Sequence, residues 1–139
     1  SQSKTINIRR IKNYNRLFKD NPLPSKKIHQ IKSSLANRHP VIFSMPINDA
    51  FKNLTNKNSV FEDDTSIPTG RNLHAMTIVG YNGHKRAFKV LNSWSSNWGE
   101  KGYCWIPYKL METYCQQAFQ IHHVNISANI LKSAHFQTY

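Results

Sequence analysis

The chain has 139 residues, enough for one domain with its own modest core. Its 39% apolar and 19% charged fractions fall in the ordinary globular range, which excludes wholesale disorder. No apolar run approaches the roughly 20 residues of a membrane-spanning helix, and a formal net charge of +12 makes the chain strongly basic.

The basic residues are unevenly placed. Ten of the nineteen Lys and Arg lie between Lys4 and Arg38, where Asp20 is the only acid. Such a face suits a nucleic acid, an anionic membrane or an acidic partner, or is simply solvated. Without aromatic interleaving or a base-reading motif, the pattern argues against nucleic-acid recognition as the main function. Cys104 and Cys115 are too few for a disulfide framework and show no metal spacing. His122 and His123, adjacent on a strand, point to opposite faces and form no metal pair. No cofactor is indicated. The chain opens on Ser1 with no signal-peptide pattern, and reads as processed, excised or truncated.

In chain order, "TINIRRIKNYNRLF" places Ile6, Ile8, Ile11, Tyr14 and Leu17 as in a strand or extended arm, ending in the turn "KDNPLP". Residues 1–24 are therefore taken as an N-terminal arm or a strand and turn. In "SKKIHQIKSSLANRHP", Ile28, Ile31 and Leu35 recur at helical steps, with Ser25 as candidate N-cap, Asn37 as stop and Pro40 as breaker. "PVIFSMPI" suits a short buried strand. Asp49 to Gly70 reads as a long polar loop with an acidic cluster at Glu62, Asp63 and Asp64. "HAMTIVGYN" and "AFKVLNSW" form a hairpin, with a tight turn expected at Asn82-Gly83, where both residues tolerate positive φ. "GYCWIPYKLM" reads as a further strand, "CQQAFQIHHVNI" closes the readable part, and residues 127–139 are a tail without pattern. One early helix and several strands give an α+β domain over residues 25–126, dominated by antiparallel sheet.

His74 opens the first hairpin strand and Asn92 closes the second, so antiparallel pairing returns both to one sheet edge. An imidazole there serves as general base once its tautomer and ring plane are fixed. An Asn carboxamide fixes both without charge, which suits a thiolate nucleophile already paired with an imidazolium. Trp94, two residues beyond Asn92, is placed to cover the Asn–His hydrogen bond and exclude water. Taken singly, a histidine beside a turn or paired loop tryptophans are usually structural; the weight rests on the whole string.

"LHAMTIVGYN" followed by "AFKVLNSWSSNWGEKGYCWIPY" resembles the C-terminal, sheet-rich half of a papain-like (C1 family) cysteine peptidase. The match lies at Asn92, Ser93, Trp94, Trp98, Gly99, Gly102 and Tyr103, and "IKSSLANRHPVIFSM" resembles the helix and strand leading into that half-barrel domain. The resemblance implies His74 as general base, Asn92 as its orienting partner, Trp94 as shield and Trp98 along the primed side of the cleft. It implies Ala75 as a wall of the main specificity pocket, and a peptide or protein as substrate. Ser95 departs from the family, which has Gly there.

The largest departure is the nucleophile. The family's cysteine opens a long helix in its N-terminal half, where the helix dipole lowers the thiol pKa, and an upstream Gln completes the oxyanion hole. Neither string is in this chain. Cys104 reads as a small buried hydrophobe in a strand, and Cys115 lacks the glycine-rich helix start. Three explanations follow: a peptidase half whose Cys-bearing half lies outside this sequence, an inactive degenerate product, or a binding module working through its basic face with protein or nucleic acid. The first predicts an exposed apolar half-cleft around Trp98 and Ala75, whereas burial of those side chains by the chain's own loops would favour the degenerate reading.

Overall fold

A computed structural model describes residues 11–18, 22–68 and 72–124. The expectations at Ile6 and Ile8, and for the tail from residue 127, lie outside them. Six strands form one sheet in the order β1-β6-β2-β3-β4-β5, and every neighbouring pair is antiparallel. β1 and β5 stand at opposite ends of that order, so the sheet does not close into a barrel. The expected α+β class with dominant antiparallel sheet is what the chain adopts. Among the described residues, no helix is long and apolar enough to cross a membrane.

β1 (Ile11–Arg16) pairs with β6 (Gln117–Val124), so of the two readings, strand or extended arm, residues 11–16 adopt the strand, at one edge of the main sheet. α1 (Pro24–Ala36) buries Ile28, Ile31 and Leu35, the stripe that the three- and four-residue spacing anticipated. Its start is not at Ser25. Leu23 occupies the cap position and makes no side-chain bond, while Pro24 begins the helix because its fixed φ matches the first turn and it has no N–H to leave unpaired. Asn37 ends the helix as expected, with its Nδ2 donating to the Ser33 carbonyl at 2.9 Å. Arg38 turns left-handed beyond it at φ 62°, and the His39 N–H reaches back to the Ser34 carbonyl.

β2 (Val41–Pro46) lies between β6 and β3, and Val41, Phe43 and Met45 point into the core. The stretch read as a polar loop does more than connect. It holds a one-turn helix, α2 (Asp49–Lys52), capped by Asn48, whose Oδ1 accepts from the Phe51 N–H at 2.9 Å. Phe51 and Phe61 are fully buried, with Leu54 nearly so. Ser59 and Phe61 exchange backbone hydrogen bonds with Trp105, so this segment also covers part of the sheet edge at β5.

β3 (Leu73–Asn82) and β4 (Ala87–Leu91) form the expected hairpin, with a register shift between Ile78 and Gly80. The turn differs from expectation. Asn82 pairs with Ala87, leaving a four-residue loop in which the positive φ falls on Arg86 at 51°. Asn82 serves by its side chain, whose Oδ1 accepts from the His84 and Lys85 N–H groups. β5 (Tyr103–Pro107) is shorter than the strand read over "GYCWIPYKLM". After Pro107 the chain turns into α3 (Tyr108–Tyr114), which buries Tyr108, Leu110 and Met111 and packs on α1. Tyr108 and Met111 sit one helical turn apart, and the length of the apolar run hid the change of period.

Candidate active site

His74 is the second residue of β3 and Asn92 the first beyond β4, and the hairpin brings them together. His74 Nε2 lies 2.8 Å from Asn92 Oδ1. The same oxygen accepts from the Ser93 N–H at 2.9 Å. That second bond orients the carboxamide, because a flipped amide would turn its NH₂ toward a backbone donor. With oxygen facing the ring, Nε2 carries the proton and donates, which leaves Nδ1 as the basic nitrogen. Asn92 is only 4% exposed, and its Nδ2 is buried without an acceptor among the described residues. A buried donor left unpaired costs about 1–3 kcal/mol.

An aromatic cluster holds this pair. The Trp94 ring lies over the His74 ring with centroids 5.0 Å apart, and is 37% exposed. Phe51 sits beneath both, 6.1 Å from His74 and 5.7 Å from Trp94. Trp98 packs on Phe51 at 4.9 Å, and its Nε1–H donates to the Phe51 carbonyl at 3.0 Å. Trp98 is therefore a core residue, 8% exposed, rather than an open wall. The exposed wall expected around Trp98 and Ala75 is instead divided: Ala75 is exposed, and the accessible indole is that of Trp94. Phe51 was missed in the sequence because no period marks a single aromatic in a polar segment.

The loop carrying Trp94 and Trp98 needs its glycines. Gly99 has φ +58°, and a Cβ there would collide with the Tyr103 carbonyl oxygen; Gly102 has φ +89°. Ser95, where the family has Gly, is not among the residues with positive φ, so a side chain is tolerated. Its Oγ accepts from the Asn97 N–H and its carbonyl from the Trp98 N–H, which closes the turn.

Two depressions flank the pair. One, of about 190 Å³, is lined by Ile42, Ala75, Thr77, Leu91, Asn92 and Ser93. The other, of about 420 Å³, is lined by Ile47, Lys52, Pro68, Asn72, Leu73 and His74.

Neither cysteine has the character of a nucleophile. Cys104 is fully buried in β5, and desolvation pushes its thiol far above the ordinary range. Cys115 caps the C-terminal end of α3, where burial pushes it up to about 12 although Lys27 opposes the shift. No group of three or more metal-ligating side chains occurs among the described residues.

Comparison with known proteins places this geometry in a family. The sequence matches the family profile described as papain family cysteine protease over residues 1–125. It is 32% identical over 98 residues to Peptidase 1 of Dermatophagoides pteronyssinus, covering 67% of this chain and 28% of that protein. An uncharacterised peptidase C1-like protein of Acanthamoeba polyphaga mimivirus is 32% identical over 84 residues, covering 60% and 27%. Among solved structures, xylellain, a cysteine protease from Xylella fastidiosa, superposes with a TM-score of 0.63 at 27% identity, over 81% of this chain and 40% of that one. Bromelain from Ananas comosus shares the fold at 20% identity, with a TM-score of 0.52 over 76% and 47%. The chain thus spans roughly a quarter of these curated relatives and under half of these solved chains. This chain belongs to the papain family of cysteine proteases.

Proposed function

We propose that this chain supplies the general base and its orienting residue to a cysteine endopeptidase whose nucleophile lies outside the sequence. The Cys-bearing half would belong to the same precursor or to another chain. The observation that carries the reading is the 2.8 Å bond from His74 Nε2–H to Asn92 Oδ1, covered by Trp94 and leaving Nδ1 basic. The burial of Cys104 and Cys115 argues that neither takes the nucleophile's place.

In this reading, Nδ1 of His74 takes the proton of an incoming cysteine, and the thiolate attacks the carbonyl carbon of a peptide bond. The imidazolium then protonates the departing amine as the C–N bond breaks, leaving a thioester. His74 next accepts a proton from water, whose oxygen attacks the thioester, and the thiol leaves with the acid product. Asn92 holds the ring through each step, and Trp94 keeps water from competing for the Asn–His bond. Ala75 would wall the pocket for the acyl side of the substrate. Trp98 would act on the leaving-group side mainly through Phe51, on which the site rests.

The purified 139 residues are expected to show no peptide hydrolysis alone, and to gain it on pairing with a Cys-bearing papain-type half. Turnover by the chain alone, abolished by His74→Ala and by Cys104→Ser or Cys115→Ser, would overturn this reading.

A further inference from the structure

The far end of the β3–β4 hairpin carries a group that the proposed reaction does not use. Tyr108, the first residue of α3, is 7% exposed, and its hydroxyl is buried with no hydrogen-bond partner among the described residues. A hydroxyl so placed gives up its bonds to water and gains none in return, so the fold holds it there at a cost. Packing keeps it in place. The Tyr108 N–H donates to the Arg86 carbonyl at 2.8 Å, and its ring lies against Phe88 with centroids 4.7 Å apart.

The surroundings of that hydroxyl are cationic and phenolic. Lys32 of α1 holds its Nζ 5.4 Å from the centre of the Tyr108 ring and 5.2 Å from that of Tyr81, near the end of β3. Burial and then the Tyr81 phenol raise the Tyr108 pKa above its ordinary value, against the opposing charge of Arg86 in the turn. The hydroxyl is therefore a donor at neutral pH. No carboxylate answers the two cations. α1, β3, β4 and the turn between those strands contain no Asp or Glu. Neither Lys32 nor Arg86 has an ion-pair partner among the described residues. Ring faces hold Lys32 instead, and they attract an ammonium more weakly than an anion does.

We infer that Lys32, Arg86 and the hydroxyls of Tyr81 and Tyr108 form a binding site for a phosphoryl group. Two cations match a dianion. Donors brought from α1, β3, α3 and the turn can meet the several oxygens of a tetrahedral group, where a planar carboxylate offers only two. Lys32 is a flexible side chain lying across both rings, and its movement toward the anion uncovers the Tyr108 hydroxyl for the same ligand. Tyr81 is seven residues beyond His74 along β3, about 23 Å at the rise of an extended strand, so this site is separate from the candidate active site and does not depend on the proposed reaction.

The test titrates the isotopically labelled 139-residue chain with inorganic phosphate at about pH 7.5, where the ion is mostly dianionic, and follows it by NMR. Sodium chloride holds the ionic strength constant, because a net charge of +12 attracts any anion. Saturable shifts are expected at Tyr81, Arg86 and Tyr108, with acetate binding about tenfold more weakly. Tyr108→Phe removes only the hydroxyl. It should weaken phosphate binding several-fold while the phosphate-free thermal midpoint stays equal or rises, a combination that a merely structural tyrosine would not give. Lys32→Met should weaken binding about tenfold, and Lys57→Met, at an exposed lysine in another segment, should leave it unchanged. Ethyl phosphate separates two sources of the group: binding equal to that of the inorganic ion assigns a phosphoryl group carried on a larger molecule, and binding of the inorganic ion alone assigns free phosphate. Shifts no greater than chloride produces would overturn the inference. So would phosphate binding undiminished in Tyr108→Phe, or an equal loss in Lys57→Met and Lys32→Met.

Discussion

The hairpin end that carries His74 and Asn92 and the position of Cys104 on β5 set two groups relevant to thiol chemistry on the strands either side of β4, with opposite surroundings. Cys104 pairs with Val90, two residues before Asn92, yet its side chain is sealed in the core. His74 remains partly exposed, with one nitrogen bonded and the other open to reaction. Residue type and proximity along the chain would make Cys104 a candidate thiol. Burial removes it, because an apolar environment penalises the thiolate that nucleophilic attack requires. The contrast teaches that reactivity here is set by what surrounds each group: a polar amide and a half-open indole on one side, close-packed apolar side chains on the other.

The strongest way to break this comparison is to change its members one at a time. In the enzyme proposed to form with a Cys-bearing half, His74→Ala should lower kcat by about a thousandfold, the usual scale for a general base, and Asn92→Ala by a smaller factor. Cys104→Ser should leave kcat nearly unchanged. A large kcat loss with Cys104→Ser in a protein that folds normally would reverse the two roles.

Thiol reactivity sharpens the same contrast. With Cys115 pushed up to about 12, its thiolate fraction near neutral pH is about a thousandfold below that of a free cysteine. Alkylation of both thiols in the native chain should be slow at least by that factor and become fast on unfolding, as mass spectrometry would report. The raised folded-state value also carries a stability consequence. Its contribution is complete below the ordinary thiol range, about 8.5, and is lost as pH rises from there toward about 12, because the unfolded thiol ionises first. Denaturation midpoints measured across that window should fall. A flat profile would mean that thiol burial contributes nothing.

A third change acts on the support rather than the site. Phe51→Ala should cost about 3–5 kcal/mol of stability, since it removes the ring on which Trp98, Phe61, Trp94 and His74 all pack. Urea denaturation checks the loss, and Trp94 fluorescence should report a looser cover over His74 in the variant.

Much of this was legible before any coordinates. The amphipathic spacing of Ile28, Ile31 and Leu35 located α1, and turn residues bounded the β3–β4 hairpin. The string from His74 to Tyr103 marked the site, because antiparallel pairing obliges the start of one strand to meet the end of the next. The boundaries at Pro24, Arg86 and Tyr108 were harder to read. Local φ preferences there compete with apolar runs that fit a strand and a helix equally well.

Residue identity and spacing by themselves singled out a histidine and an asparagine as the candidate pair and predicted that a hairpin brings them to one edge. Three-dimensional packing alone decided their condition. It drew Phe51 out of an apparently polar loop to hold the rings and sank Trp98 while leaving Trp94 open. It also buried both thiols. These outcomes depend on contacts between residues far apart in the chain, where solvent exclusion and directional hydrogen bonds are established only once the sheet has assembled.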